Sequence, residues 1–219
     1  MHKKLTGLYA ITRSPSHPSN QASQTLILDV ERALRGGASI IQYRDKRPDS
    51  VNYHLQREAT AQQLRNLTRQ YNALLIINDD AALAHLCNAD GVHLGRDDGS
   101  LLEARKLLGA NAIIGISCYN QYSLAQQAAN HGADYVAFGR FFPSRTKPSA
   151  ALANCELLSR AKQELRIPIV AIGGITPENG KILLDAGASM LAVVDGLFGQ
   201  SDVYTATQNF RPLFDASRA

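Results

Sequence analysis

Short apolar runs recur along the chain, and most of them stop abruptly on polar or glycine residues. They fall at Leu8–Thr12, Ile40–Lys46, Leu74–Asp79, Asp90–Gly95, Ala112–Ser117, Tyr135–Gly139, Pro168–Gly174 and Leu191–Gly196. Between them the apolar positions take helical spacing. The predicted helices are Ser23–Arg35 closed by Gly36-Gly37, the long stretch from Asp49 to about Tyr71, Ala81–Cys87 and Ser100–Leu108. Further on come Tyr122–His131, Cys155–Leu165, a helix capped by Thr176, begun at Pro177 and closed by Gly187, and a last one over Val203–Leu213. Continuous apolar strands joined by crossover helices imply a parallel sheet buried on both faces. Eight such units in 219 residues fit one closed (β/α)8 TIM barrel, spanning residues 1–219 as a single domain. The rival is an open doubly wound sheet, which places a glycine fingerprint after its first strand. Ile11-Thr12-Arg13-Ser14 carries none.

Composition narrows the class further. At 45% hydrophobic and 19% charged, the chain is an ordinary globular domain. No apolar run reaches the roughly 18 residues that span a bilayer, and Met1-His2-Lys3-Lys4 opens without a cleavage-site pattern, so no membrane association is expected. Cys87, Cys118 and Cys155 form neither a disulfide framework nor a metal ladder, which fits a reducing cytoplasm. The net charge of +4 is mildly basic. Arg44, Lys46, Arg96, Arg140, Arg145 and Lys147 all follow predicted strands instead of lining one helix, which favours small anionic substrates over nucleic acid.

In a barrel of this kind the strand ends meet at one face, where the active site lies. Alternation puts Gln42 and Arg44 on the same side of their strand, with Lys46 continuing the line. Read alone the segment is a charged strand end that needs an anion, or an exposed edge with solvated charges. Asn78-Asp79 and Asp98 bring hard oxygen ligands from two loops and suit Mg²⁺, although each aspartate equally suits a helix cap. Gly139 to Lys147 combines glycine, hydroxyls and cations in the manner of a phosphate loop, and a purely solvated loop leaves Phe141 and Phe142 unexplained. Gly173-Gly174, after the seventh strand, lets backbone approach a ligand and adds an anion site with the start of the next helix. His93 alternates with Val92 and Leu94 and reads as an interior packing residue. His54, His85 and His131 lie on predicted helices, and no Ser/His/Asp or Cys/His set is evident.

Assembled in order, Gln42-Tyr43-Arg44-Asp45-Lys46, Ile77-Asn78-Asp79, Asp90-Gly91-Val92-His93-Leu94-Gly95, Gly115-Ile116-Ser117, Gly132-Ala133-Asp134-Tyr135-Val136, Phe142-Pro143-Ser144-Arg145-Thr146-Lys147 and Ala171-Ile172-Gly173-Gly174-Ile175 resemble the thiamin phosphate synthase family along nearly the whole chain. The resemblance implies condensation of hydroxymethylpyrimidine diphosphate with thiazole phosphate to thiamin phosphate and diphosphate, with diphosphate leaving first. It implies that Gln42 orients the pyrimidine, within a substrate-binding stretch that includes Tyr43 and Asp45. Arg44, Lys46, Asn78, Ser117 and Lys147 would hold the diphosphate, with Arg44, Lys46, Ser117 and Lys147 catalytic. Asp79 and Asp98 would hold Mg²⁺, and Ser144, Arg145, Thr146, Gly174, Val194 and Asp195 would surround the thiazole phosphate.

Three departures from the family pattern stand out: Ser144 for Thr, Arg96-Asp97 for Gln-Glu, and Asp195 where many members have Ser. A carboxylate beside a phosphate must point away or pair with a cation, and Asp195 is expected to turn outward. A related thiazole tautomerase-like branch uses a His where Tyr119 stands, and a non-catalytic barrel that only binds thiazole phosphate is the other rival. The partners implied are the two phosphorylated substrates, with a homo-oligomer left open.

Overall fold

The computed structural model describes residues 5–14, 19–46, 51–143 and 151–215. Eight parallel strands close into a barrel in sequence order: β1 (Gly7–Ile11), β2 (Ile40–Tyr43), β3 (Leu74–Asn78), β4 (Gly91–Leu94), β5 (Ile113–Tyr119), β6 (Tyr135–Gly139), β7 (Ile169–Ile172) and β8 (Met190–Val193). Closure comes from β8 pairing with β1, Gly7 opposite Met190 and Ala10 opposite Val193. The strands alternate with α1 (Asn20–Gly36), α2 (Val51–Gln70), α3 (Ala81–Leu86), α4 (Leu101–Leu108), α5 (Tyr122–Asn130), α6 (Cys155–Glu164) and α7 (Gly180–Asp185). Three short helices end the described chain: α8 (Asp195–Phe198), α9 (Val203–Gln208) and α10 (Arg211–Asp215).

Two apolar layers follow from strand alternation. One fills the barrel with Tyr9, Ile11, Ile40, Ile76, Tyr135, Ala137, Val170 and Met190 among others. The larger one lies between barrel and helices and takes the opposite residues, such as Leu8, Ile41, Tyr43, Leu75, Ile77 and Val136. Both strand faces are thus dry, which is why the strands read as unbroken apolar runs.

Local chemistry explains where the helices begin. Ser100 accepts the N–H of Glu103 while the Glu103 carboxylate accepts the N–H of Ser100, a reciprocal cap. Asp80 caps α3 by accepting from Leu83 N at 2.8 Å.

Three expectations fail near the C-terminal end. The seventh helix begins at Gly180 instead of Pro177, because the Asn179 side chain closes a turn on itself, accepting from Thr176 N at 2.8 Å and donating to Gly174 O at 3.0 Å. The eighth strand ends at Val193, not Gly196, and Val194 O instead receives the N–H groups of Leu197 and Phe198, which builds α8. The expected final helix is two, since Pro212 has no N–H for an α-helical bond and sits in the first turn of α10, where none is needed. Among the described residues no helix is long and apolar enough to cross a membrane.

Candidate active site

At the C-terminal ends of the strands the barrel opens into a cavity of about 830 Å³. Its wall includes Gln42, Arg44, Asn78, Ser117, Gly174, Val194 and Asp195, residues drawn from β2, β3, β5, β7 and β8 and the turns that follow them. The alternation read from the second strand holds, as Gln42 and Arg44 face the cavity together. Tyr43 and Asp45, placed by sequence with the substrate-binding residues, turn the other way. Tyr43 belongs to the barrel–helix layer and donates its hydroxyl to Asp45 Oδ2 at 3.2 Å. Tyr53 from α2 adds a bond to Asp45 O at 3.2 Å. The pair anchors the strand end from behind.

The strand end is gripped by its backbone. Thr12, fully buried, accepts the Arg44 N–H at 2.9 Å and donates to Arg44 O at 3.2 Å. Ser14 accepts from Lys46 N at 2.9 Å. These bonds fix the position of Arg44 without engaging its guanidinium, for which the described residues supply no partner.

The cavity floor is a chain of side-chain hydrogen bonds across five strands. Gln42 Nε2 donates to Tyr9 OH at 2.8 Å, and Tyr9 OH lies 2.8 Å from Tyr135 OH. Tyr135 OH lies 2.9 Å from His93 Nδ1, whose Nε2 is 2.9 Å from Ser117 Oγ. Burial raises both phenols, Tyr135 well above the ordinary tyrosine value, so they stay neutral and act only as hydrogen-bonding groups. Gly115 makes this possible, because a Cβ there would lie 1.9 Å from the Tyr135 ring. Sequence reading kept His93 as an interior packing residue, and it is buried, but it also joins Ser117 to the network. Tyr9 and Tyr135 were missed. The available signal was the company they keep: bulky inward residues beside small ones, Ala137 and Ala192, which leave space that the tyrosines do not fill.

Beside Asn78 the two expected metal ligands come together. Asp79 sits at φ 65°, and its carboxylate receives Asn78 Nδ2 at 2.5 Å and the Lys46 ammonium. Asp98 accepts the N–H of Gly95 at 2.9 Å. Burial, and then the hydrogen-bonded Asp79 carboxylate, push the Asp98 carboxyl above the usual range, opposed by the Gly95 N–H and Lys46. The capping alternative resolves cleanly, since Asp80 caps α3 and Ser100 caps α4. Neither aspartate caps a helix, and the Asp98 carboxyl hydrogen-bonds the Asp79 carboxylate that also holds Lys46 and Asn78. Two hard carboxylates so close fit a divalent cation such as Mg²⁺.

On the opposite side lie Gly173 and Gly174, at φ 107° and 65°. A Cβ on Gly174 would meet Pro143 O at 2.3 Å, so only glycine lets this turn pack against the loop after β6. That loop starts as a continuation of the sheet, with Phe141 N bonding Ile172 O at 3.2 Å and Phe142 N bonding Gly173 O at 3.0 Å. The two phenylalanines are thereby explained. The Thr176 N–H, expected at an anion-binding helix start, is already held by Asn179. Ser144, Arg145, Thr146 and Lys147 lie outside the described residues. Asp195, expected to turn outward, instead lines the cavity and pairs with Arg13, Nε to Oδ1 at 3.2 Å, in one of the two ways its charge can be accommodated. Arg13 and Arg140 also face the cavity. Arg13 was overlooked because nothing in its loop distinguishes it from a surface arginine.

Fold and mouth define the class, a (β/α)8 barrel whose C-terminal face carries a ligand cavity. The model of the family described as thiamine monophosphate synthase matches residues 8–197. A thiamine-phosphate synthase of Nitrosococcus oceani is 50% identical over 98% of this chain and 95% of its own length. One from Thiobacillus denitrificans is 49% identical, over 96% and 95%. The thiamine phosphate pyrophosphorylase of Pyrococcus furiosus superposes with a TM-score of 0.84 at 33% identity, covering 98% of both chains. The chain belongs to the thiamine monophosphate synthase family.

Proposed function

We propose that this protein is a thiamine-phosphate synthase, a transferase that joins a hydroxymethylpyrimidine diphosphate to thiazole phosphate and releases diphosphate. The observation that carries the reading is the shared cavity face of Gln42 and Arg44, neutral floor next to cationic rim, beside the Asp79–Asp98 pair. A neutral network suits an aminopyrimidine ring, which offers hydrogen-bonding edges and no charge. Gln42, fixed by Tyr9, orients that ring. Ser117, held by His93 at 2.9 Å, would meet the exocyclic carbon and its diphosphate at the floor.

Negative charge develops on the diphosphate as its C–O bond breaks. Donors already aimed at that position lower the barrier without reorganising. Arg44 and Asn78 line the cavity and would serve this role, with Lys46, whose ammonium pairs with Asp79, and with Lys147 by its place in the sequence motif. Asp79 and Asp98 fit a Mg²⁺ ion, which when bound supplies charge neutralisation to diphosphate oxygens. Among the described residues no third carboxylate, His or Cys joins them. That leaves coordination positions for water and substrate oxygens, as Mg²⁺ prefers. The thiazole nitrogen attacks with its own lone pair, and no general base is required.

The thiazole phosphate fits the side of the mouth formed by Gly174, Val194 and Asp195, after the seventh and eighth strands, where barrels of this class often hold phosphate. Ser144, Arg145 and Thr146 belong to this end by motif. The tautomerase-like alternative lacks its His, since Tyr119 occupies that place under the Arg96 guanidinium, 5.1 Å from the ring centre.

Mixing both substrates with Mg²⁺ and following thiamin phosphate and diphosphate tests the reading. Both products are expected with wild type, and loss of Mg²⁺-dependent turnover with Asp79→Ala. A protein that binds thiazole phosphate calorimetrically but releases no diphosphate would instead be the silent binding barrel.

A further inference from the structure

The Arg13–Asp195 pair bridges the ends of the neighbouring strands β1 and β8 at the mouth of the barrel. Side-chain exposures of 57% and 35% put it among ion pairs that add little to stability. Both residues nevertheless line the cavity, next to Gly174, Val194 and Gly196. A carboxylate inside an anion site repels its ligand unless a cation neutralises it. Here the neutralising group is a guanidinium tethered through Nε. Arginine has five N–H donors in a rigid fork, so an ion pair made on the Nε side leaves the outer Nη edge for a second acceptor, and that edge matches two phosphate oxygens. Asp195 is itself held in place, its backbone oxygen accepting Gln200 Nε2 at 3.1 Å.

We propose that Arg13 is a specificity-determining residue for the phosphate group of the thiazole substrate, with Asp195 the positioning residue that aims it. The inference rests on the synthase reading and adds a phosphate ligand from the first βα loop. Asp195 then has two opposed effects. With Arg13 present it orients the fork. Without Arg13 its negative charge is no longer offset by that guanidinium beside the phosphate dianion.

These opposed effects make the proposal testable by a double-mutant cycle. Arg13→Ala, Asp195→Asn and Arg13→Ala/Asp195→Asn are compared with wild type in steady-state turnover and in calorimetric titration with thiazole phosphate and with the phosphate-free thiazole alcohol. Arg13→Ala should weaken binding of thiazole phosphate about 10–100-fold, the scale of a charge-assisted pair of hydrogen bonds. The KM for the pyrimidine diphosphate should move less than about threefold, and affinity for the thiazole alcohol should not change. Asp195→Asn should cost less, about 3–10-fold, because the cation remains but is no longer aimed. The double variant should recover most of the Arg13→Ala loss. Equal losses for the phosphorylated and phosphate-free thiazoles would overturn the proposal, as would a double variant no better than Arg13→Ala. If wild type makes no thiamin phosphate at all, the synthase reading fails instead, and the titrations still report on Arg13 independently.

Discussion

The two ends of the barrel carry the same kinds of charge and use them in opposite ways. At the N-terminal end, Asp90 and Asp134 stand just before β4 and β6 in parallel settings, Ala89-Asp90-Gly91-Val92 and Ala133-Asp134-Tyr135-Val136. Asp90 Oδ2 accepts the Leu75 N–H at 2.8 Å and Arg65 Nη1 at 2.5 Å. Asp134 Oδ2 accepts the Ile114 N–H at 2.8 Å and Arg105 Nη2 at 2.6 Å. Each aspartate clasps the preceding strand and neutralises one arginine. At the C-terminal end, Arg44 is gripped through its backbone by Thr12 and its head is left for ligand. A strand end bound through side-chain charge builds stability. One bound through its main chain keeps its charge available.

Exchanging the measurements should separate the two ends. The largest effect belongs to Arg44→Ala, which should lower kcat/KM about 10²–10³-fold, the usual loss when a preorganised donor to developing charge is removed. Its thermal midpoint should stay within about 2 °C of wild type, since the grip of Thr12 on the backbone survives. Asp90→Ala should do the reverse. Removing it strands a buried arginine and an N–H of β3, a cost of about 3 kcal/mol, which lowers the thermal midpoint by about 6–12 °C in a domain of this size. Turnover measured below the transition should be unchanged. Asp90→Asn retains an acceptor for Leu75 N and should lose well under half as much stability. If Asp90→Ala impaired turnover as deeply as Arg44→Ala, the division of labour between the ends would be wrong.

The division also sets how much could be read without coordinates. Periodicity carried the barrel, because a strand dry on both faces and a helix dry on one leave different imprints. It failed where a side chain competes with the backbone: Asn179 delays α7, and α8 forms where Val194 O turns from the sheet to its own chain. Within the site, alternation alone identified Gln42 and Arg44. The family motif, not alternation, brought in Tyr43 and Asp45, which share that motif but not the face. Asp79 was ambiguous by itself, since helix caps and metal ligands are the same residue types. Only the capping of α3 by Asp80 frees it. Asp195 was placed at the thiazole phosphate by its motif, but its pairing with Arg13 stayed hidden because their meeting depends on barrel closure between β1 and β8, a contact with no local trace.

Tyr135 offers the finest test, because it belongs to both regions. It begins β6 directly after the Asp134 clasp, and its hydroxyl joins Tyr9 to His93 at the cavity floor. Tyr135→Phe keeps the ring that packs over Gly115 and deletes the hydroxyl alone. Tyr9 and His93 each lose a buried partner, which should cost about 1–2 kcal/mol in stability by denaturant unfolding. On the functional side Gln42 keeps its bond to Tyr9, while Ser117 loses the far anchor of its histidine. The KM for the pyrimidine diphosphate should therefore rise only about 5–10-fold, with thiazole phosphate affinity unmoved. A change in both readouts, each smaller than at either end, is the signature of a residue that couples the clasp to the floor. A stability loss with pyrimidine affinity intact would make the floor packing alone, and would remove Tyr9, Tyr135 and His93 from the site.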